Sequence, residues 1–186
     1  MISTKQLHQP IIDQCKNNCA KSQMQLYNLY CKGMLSVANR YVKDRFLAED
    51  VMQDAFIKAF KNIHSYKNEV AFGAWLKKIV INQSIDQLKK NKLELVTINE
   101  EVYAKHEEDT NWNVDSDISL EGIVEKINGL KEKYRLVLTM YLLEGYDHQE
   151  IAEVLNITEN TSRTHLLRGK KILKEQLKNT SYAARY

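Results

Sequence analysis

The stretch HQEIAEVLNITENTSRTHLLRGKKIL, residues 148–173, gathers the residue types that can hold a polyanion. Residues 160–178 carry six Lys or Arg against Glu175 alone, a local +5 in a chain whose formal net charge is +3. Arg163 and Arg168 can each grip a guanine or a phosphate with a planar bidentate fork. Lys170, Lys171 and Lys174 can neutralise backbone phosphates as point charges. Ser162, Thr164 and Leu167 share the N-terminal half of the segment and add small polar and apolar groups suited to base edges. A merely solvated helix face is the alternative for a basic run taken alone.

Presenting these groups to a duplex requires a helix seated on a second helix. Ala152 is small enough for a helix crossing, Asn156 tolerates the left-handed turn between two short helices, and Ile157 can plug their angle. Asp147 and Glu150 have the spacing of a capping box, and Thr158 is placed to cap the final helix, expected to run to about Leu177. Leu166, Ile172 and Leu173 are then expected to face inward. The arrangement is a helix-turn-helix whose second helix fits the major groove. A helical hairpin used only as core is the other reading.

The rest of the chain supplies further helices. Residues 11–45 read as helix broken near Asn17-Asn18, with Leu26, Tyr30, Val37 and Tyr41 on one stripe. A second helix spans about Ala48 to Ile63, with Met52, Ala55, Phe56, Ala59, Phe60 and Ile63 inward. Glu49, Asp50, Gln53 and Asp54 cluster in its first two turns, where acids complement the helix dipole. A third runs from Phe72 to about Lys90 with a stripe of Trp75, Leu76, Ile79, Val80 and Leu88; Asp86 is expected to fix its packing. Periodicity fades after Lys92 and returns at Leu120 with Ile123, Val124 and Ile127. The helix LKEKYRLVLTMYLL ends before Gly145.

Charge follows the same division. Residues 1–92 hold fifteen Lys/Arg against seven Asp/Glu, residues 93–117 one lysine against eight acids, and residues 118–186 eleven basic against nine acidic groups. The chain is therefore expected to be all-α: a helical domain over 1–92, an acidic linker over 93–117 and a helix-turn-helix domain over 118–186. One proline and six glycines in 186 residues agree with that class. No apolar run approaches a membrane span and the N-terminus lacks the hydrophobic core of a signal peptide, so a cytoplasmic protein without membrane insertion is expected. Cys15, Cys19 and Cys31 are odd in number and lack zinc-finger spacing, which favours reduced thiols and no metal. Neither a phosphate-cradling glycine loop, a nucleophile elbow nor HExxH is present, so no catalytic residue, cofactor or small-molecule substrate is expected.

Two motif sets, AEDVMQDAFIKAFKNI followed by FGAWLKKIVINQSIDQLKK, and then the helix-turn-helix, stand in the order and spacing of sigma-70-type transcription initiation factors. The chain most resembles their small extracytoplasmic-function group, over about residues 10–178. The resemblance implies a two-domain subunit of bacterial RNA polymerase, with domain 2 reading and opening the minus-ten promoter element and domain 4 reading the minus-thirty-five element.

Residue by residue, the resemblance implies that Asp50, Gln53 and Asp54 dock on the clamp helices of core polymerase; complementation of the helix dipole is the alternative for the acids. The loop from His64 to Ala71 matches the family loop that captures a flipped base, with Tyr66, Asn68 and Phe72 as candidates for stacking and edge contacts; a solvated connector is the other reading. Asn82 stands where the family carries asparagine for strand contact, and Lys77, Lys78, Lys89, Lys90 and Lys92 would neutralise phosphates. In domain 4 the contacts fall to Ser162, Arg163, Thr164, Leu167, Arg168 and Lys171. The acidic connector would thread into the polymerase cleft, or serve as a soluble tether. An anti-sigma factor is implied as a further partner. Two departures stand out: Ser162 occupies a place where many members have valine, and Asn156 one where many have glycine. The runner-up function is a stand-alone helix-turn-helix regulator, which would bind operator duplex without polymerase.

Overall fold

The computed structural model describes residues 8–93 and 119–183. Within them every regular element is helical, and the chain divides into two compact units, Met1–Ile98 and Asn99–Tyr186. The expected linker, 93–117, lies outside the described residues except for Leu93, the last residue of a helix.

The first unit holds α1 (Gln9–Lys16), α2 (Ala20–Val42), α3 (Arg45–Lys61), one tighter turn (Ile63–Ser65) and α4 (Phe72–Leu93). The break expected at Asn17-Asn18 is present, with Asn18 at φ 57°, a left-handed conformation that asparagine tolerates. Helix α2 ends at a left-handed Lys43, and the Asp44 carboxylate accepts the Leu47 N–H at 2.8 Å. That cap moves the start of α3 back from the expected Ala48 to Arg45. Helices α2, α3 and α4 pack on one another around Leu26, Tyr41, Ala48, Ala55, Phe56, Leu76, Val80, Ile81 and Ile85, all buried. Alanines at 48, 55 and 59 fall on one face of α3 and let the neighbouring helices approach closely. Each large side chain removed from water there contributes about 1.5–3 kcal/mol. Ser84 is fully buried, and its hydroxyl donates to the Val80 carbonyl at 2.8 Å. Asp86 is exposed, so the packing role expected of it falls instead to Ile81, Ser84 and Ile85.

The second unit holds α5 (Leu120–Gly129), α6 (Glu132–Leu138), a π-helical turn (Thr139–Glu144), α7 (His148–Leu155) and α8 (Glu159–Ala183). The segment expected as one regular helix therefore widens over its last six residues before Gly145 closes it at φ 77°. Asp147 and Glu150 form the expected capping box, Asn156 adopts φ 56°, and the Thr158 hydroxyl accepts the Thr161 N–H at 3.1 Å. Helix α8 buries Ser162, Leu166, Gly169, Leu173 and Leu177, a single stripe at helical spacing, against α6 and α7. Leu166 and Leu173 face inward as expected, while Ile172 is only half-buried.

Candidate nucleic-acid and protein interfaces

On α8 the face opposite the buried stripe carries Arg163, Thr164, Leu167, Arg168 and Lys171. Arg163 and Lys171 are exposed, and Thr164, Leu167 and Arg168 are half-buried. Arg163 pairs with Glu159 at 3.1 Å, but both side chains are about half exposed, at 51% and 50%, and separated by one helical turn. Such pairs are worth a few tenths of a kcal/mol, too little to withhold the guanidinium from a phosphate or a guanine. Ser162 is a correction. Its side chain is fully buried, and its hydroxyl shares a hydrogen bond of 2.9 Å with Nδ1 of His148. It lies on the packing stripe of α8, not on the face that could meet bases.

In the first unit, the loop after α3 is closed on itself. The Tyr66 hydroxyl donates to the Val70 carbonyl at 2.7 Å, and the Tyr66 ring packs edge-on against Phe72 and tilted against Trp75, both with centroids 5.4 Å away. Tyr66 and Phe72 are each only 2% exposed. This corrects the expectation that both rings offer stacking surface: they belong to the aromatic core that anchors the loop. Trp75, expected in that core, is half-buried within it. Asn68 sits at the loop tip, exposed and left-handed at φ 63°, so its amide is open to solvent. Tyr66→Phe should leave the fold intact and remove only the clasp, worth about 1 kcal/mol. Amide exchange across residues 67–71 is then expected to quicken roughly five-fold with the melting temperature nearly unchanged; unaltered exchange would deny Tyr66 this task.

Along α4, Lys78 and Lys90 are exposed and Lys77 and Lys89 half-buried; Lys92 lies outside the residues whose side chains are described. Asn82 is half-buried, and its Oδ1 has no hydrogen-bond partner.

Asp50, Gln53 and Asp54 are all exposed on α3. Their neighbours Phe46 and Ile57, to which the sequence pattern does not point, are 80% and 52% exposed. At 100° per residue, positions 46, 50, 53, 54 and 57 share one face of the helix. Apolar side chains thus flank the acidic cluster, and the position of Phe46 ahead of the expected helix start had hidden it.

Two histidines of the second unit give it a pH dependence. Burial pushes the His148 pKa below the ordinary imidazole value, helped by Arg163 and Lys170 and opposed by Glu159 and Asp147. Burial likewise lowers His165, together with Lys133 and Arg168. Both are therefore held neutral by the fold, and the unfolded chain takes up protons first as the pH falls. Their stabilisation is complete above about pH 6.5 and is lost as the pH drops through the depressed folded values. The melting temperature of the second unit, followed by its own NMR resonances, is expected to decline between about pH 7 and pH 5. A flat profile over that range would contradict the assignment.

The three cysteines are free thiols, with Cys15 buried. Among the described residues no group of three or more His, Cys, Asp or Glu comes together as a metal site, and no helix is long and apolar enough to cross a membrane.

Comparison with known proteins accounts for this pairing of units. The sigma-70 region 2 family matches residues 26–94 and the sigma-70 region 4 family residues 120–173. The ECF RNA polymerase sigma factor SigW of Bacillus subtilis is 30% identical, over 90% of this chain and 95% of that protein. The ECF RNA polymerase sigma-E factor of Haemophilus influenzae is 26% identical, over 91% of this chain and 94% of its own length. Among solved structures, the sigma factor RpoE of Bartonella quintana, crystallised with the anti-sigma factor NepR, shares the fold with a TM-score of 0.53 at 22% identity, covering 86% of this chain and 98% of that one. CnrH, solved with the cytosolic domain of CnrY, superposes with a TM-score of 0.50 at 18% identity, covering 91% and 96%. A chain helical throughout its described residues, with a region 2 bundle and a region 4 helix-turn-helix, is a sigma factor, the subunit type that directs transcription initiation with RNA polymerase. Within that class the chain belongs to the extracytoplasmic-function group of the sigma-70 family.

Proposed function

We propose that the two units divide promoter recognition. The second unit reads the minus-thirty-five element as duplex, with Arg163, Thr164, Leu167 and Arg168 of α8 in the major groove and Lys171 on the backbone. The first unit reads and opens the minus-ten element. Asn68 at the loop tip makes edge contacts to an extruded base, Tyr66 and Phe72 hold the loop from beneath, Asn82 supplies a further contact, and Lys77, Lys78, Lys89 and Lys90 neutralise the strand. The Asp50, Gln53 and Asp54 face of α3 docks on core polymerase, with Phe46 and Ile57 as its apolar flanks. An anti-sigma factor is a natural further partner, since the solved neighbour RpoE was crystallised with the anti-sigma factor NepR.

The observation carrying this reading is the two-faced build of α8: a buried stripe at 162, 166, 169, 173 and 177, and the Arg/Thr/Leu/Lys set on the other side. The test is run-off transcription from a promoter library with bacterial core enzyme. Specific transcripts are expected only when this chain is added, and without ATP hydrolysis for opening. Tight operator binding by the chain alone would favour the stand-alone regulator.

A further inference from the structure

Ser162 turns away from the groove-facing side of α8, and the contacts it makes instead form a continuous path. From Ser162 the 2.9 Å hydrogen bond leads to His148, the first residue of α7. The His148 ring stacks on Tyr141, with centroids 4.9 Å apart and planes 28° apart. Tyr141 stands on the π-helical turn and is 37% exposed, and Lys170 Nζ lies 5.7 Å from its ring centroid. The path therefore leaves α8 at Ser162 and returns to it at Lys170, two turns later and roughly 12 Å along the axis. Arg163, Thr164, Leu167 and Arg168 all lie between those two anchors.

Apolar packing at Leu166, Gly169 and Leu173 fixes where α8 crosses its neighbours, and its resistance to a small rotation about the axis comes from sterics alone, without a directional bond. A hydrogen bond and a stacked ring do have direction. A rotation of about 10° carries a side chain at the helix surface through about 1 Å, enough to spoil the alignment of a hydrogen bond to a base edge. Stability is a limited account of this part-buried pair, since one such hydrogen bond contributes only about 1 kcal/mol net. What such a pair adds to a helix crossing is a single preferred setting.

We propose that Tyr141, His148 and Ser162 form a strap that sets the axial rotation of α8 and thereby sharpens its discrimination between base pairs, without touching a base. The three are positioning residues, and the inference rests on the reading that α8 recognises promoter duplex. It also gives the π-helical turn a task, for Tyr141 stands on that turn.

The full chain is assembled with bacterial core polymerase, and transcription is measured on a library randomised across the upstream element. Ser162→Ala and Tyr141→Ala are each expected to lower the ratio of preferred to singly mismatched promoters by about three- to ten-fold. Affinity for unrelated duplex should change less than about two-fold, because phosphate contacts carry that term. Tyr141→Phe, which keeps the stack and the surface for Lys170, should retain the full ratio. The pair Ser162→Val with His148→Leu refills the crossing without the directional bond; it is expected to fold and still to discriminate poorly. Full discrimination in that pair overturns the inference, as does an unaltered ratio in both alanine variants, a loss that tracks non-specific affinity, or equal loss in Tyr141→Phe and Tyr141→Ala. If the unsubstituted chain enriches no upstream motif, the promoter reading of the second unit fails first and the strap with it. A motif that persists unchanged in the variants removes the strap alone.

Discussion

Asp54→Lys is expected to weaken association of the full chain with core polymerase by about 10- to 100-fold while leaving its own melting temperature unchanged. Asp54 is exposed in the middle of α3 and is not part of the α3 packing face, where Ala48, Val51, Met52, Ala55, Phe56 and Ala59 are buried. Reversing its charge therefore costs the isolated chain little. In a complex the same change replaces an attraction by a repulsion next to Asp50 and Gln53, with Phe46 and Ile57 bringing the partner close enough for the charges to matter. The loss should shrink as salt is raised, since screening acts on rim charges within a Debye length of about 10 Å at 0.1 M. Titration of labelled core enzyme at two ionic strengths measures both effects. Equal affinity of the variant and the unsubstituted chain at low salt would remove the docking role from this face.

Much of the fold could be read directly because local chemistry and tertiary packing agree. The Asp147/Glu150 box, the left-handed Asn156, the Thr158 cap and the break at Asn18 are decided within a few residues of backbone, and each stands where the sequence puts it. The misses share a different origin. The family resemblance offers Tyr66 and Phe72 as stacking groups, yet whether an aromatic ring faces solvent depends on tertiary partners as much as on sequence neighbours: Tyr66 packs on nearby Trp75, while Phe72 packs on Tyr30, far away in the chain. Ser162 could have been found: it shares the helical spacing of Leu166, Leu173 and Leu177, and only its polarity argued against burial. Its partner, His148, fourteen residues away, is what makes that burial affordable. The π-helical turn leaves no mark in a pattern built on 3.6 residues per turn. Phe46 escapes the pattern because the sequence places the start of α3 after it, at Ala48, whereas the Asp44 cap starts the helix at Arg45.

Gly169→Val is expected to destabilise the second unit by about 3 kcal/mol, enough to remove its cooperative melting near physiological temperature, while the resonances of the first unit stay in place. Gly169 is buried where α8 crosses α6. A Cβ there would overlap Leu138 Cδ1 and stand 3.2 Å from the Cβ of Tyr134. The leucine tip could swing aside on a surface, but Leu138 is fully buried, and the tyrosine Cβ moves only with its backbone. Valine adds two further methyl groups at the same point. Against this, a glycine in mid-helix costs about 1 kcal/mol relative to alanine, so Gly169→Ala recovers part of what the clash removes and should fall between the two. That graded order, glycine above alanine above valine in the melting of the second unit, is what a close crossing dictates. Because α8 carries the groups assigned to the upstream element, the valine variant should also lose dependence on that element. An alanine variant more stable than the unsubstituted chain would mean that helix propensity, and not the approach of α6, governs this position.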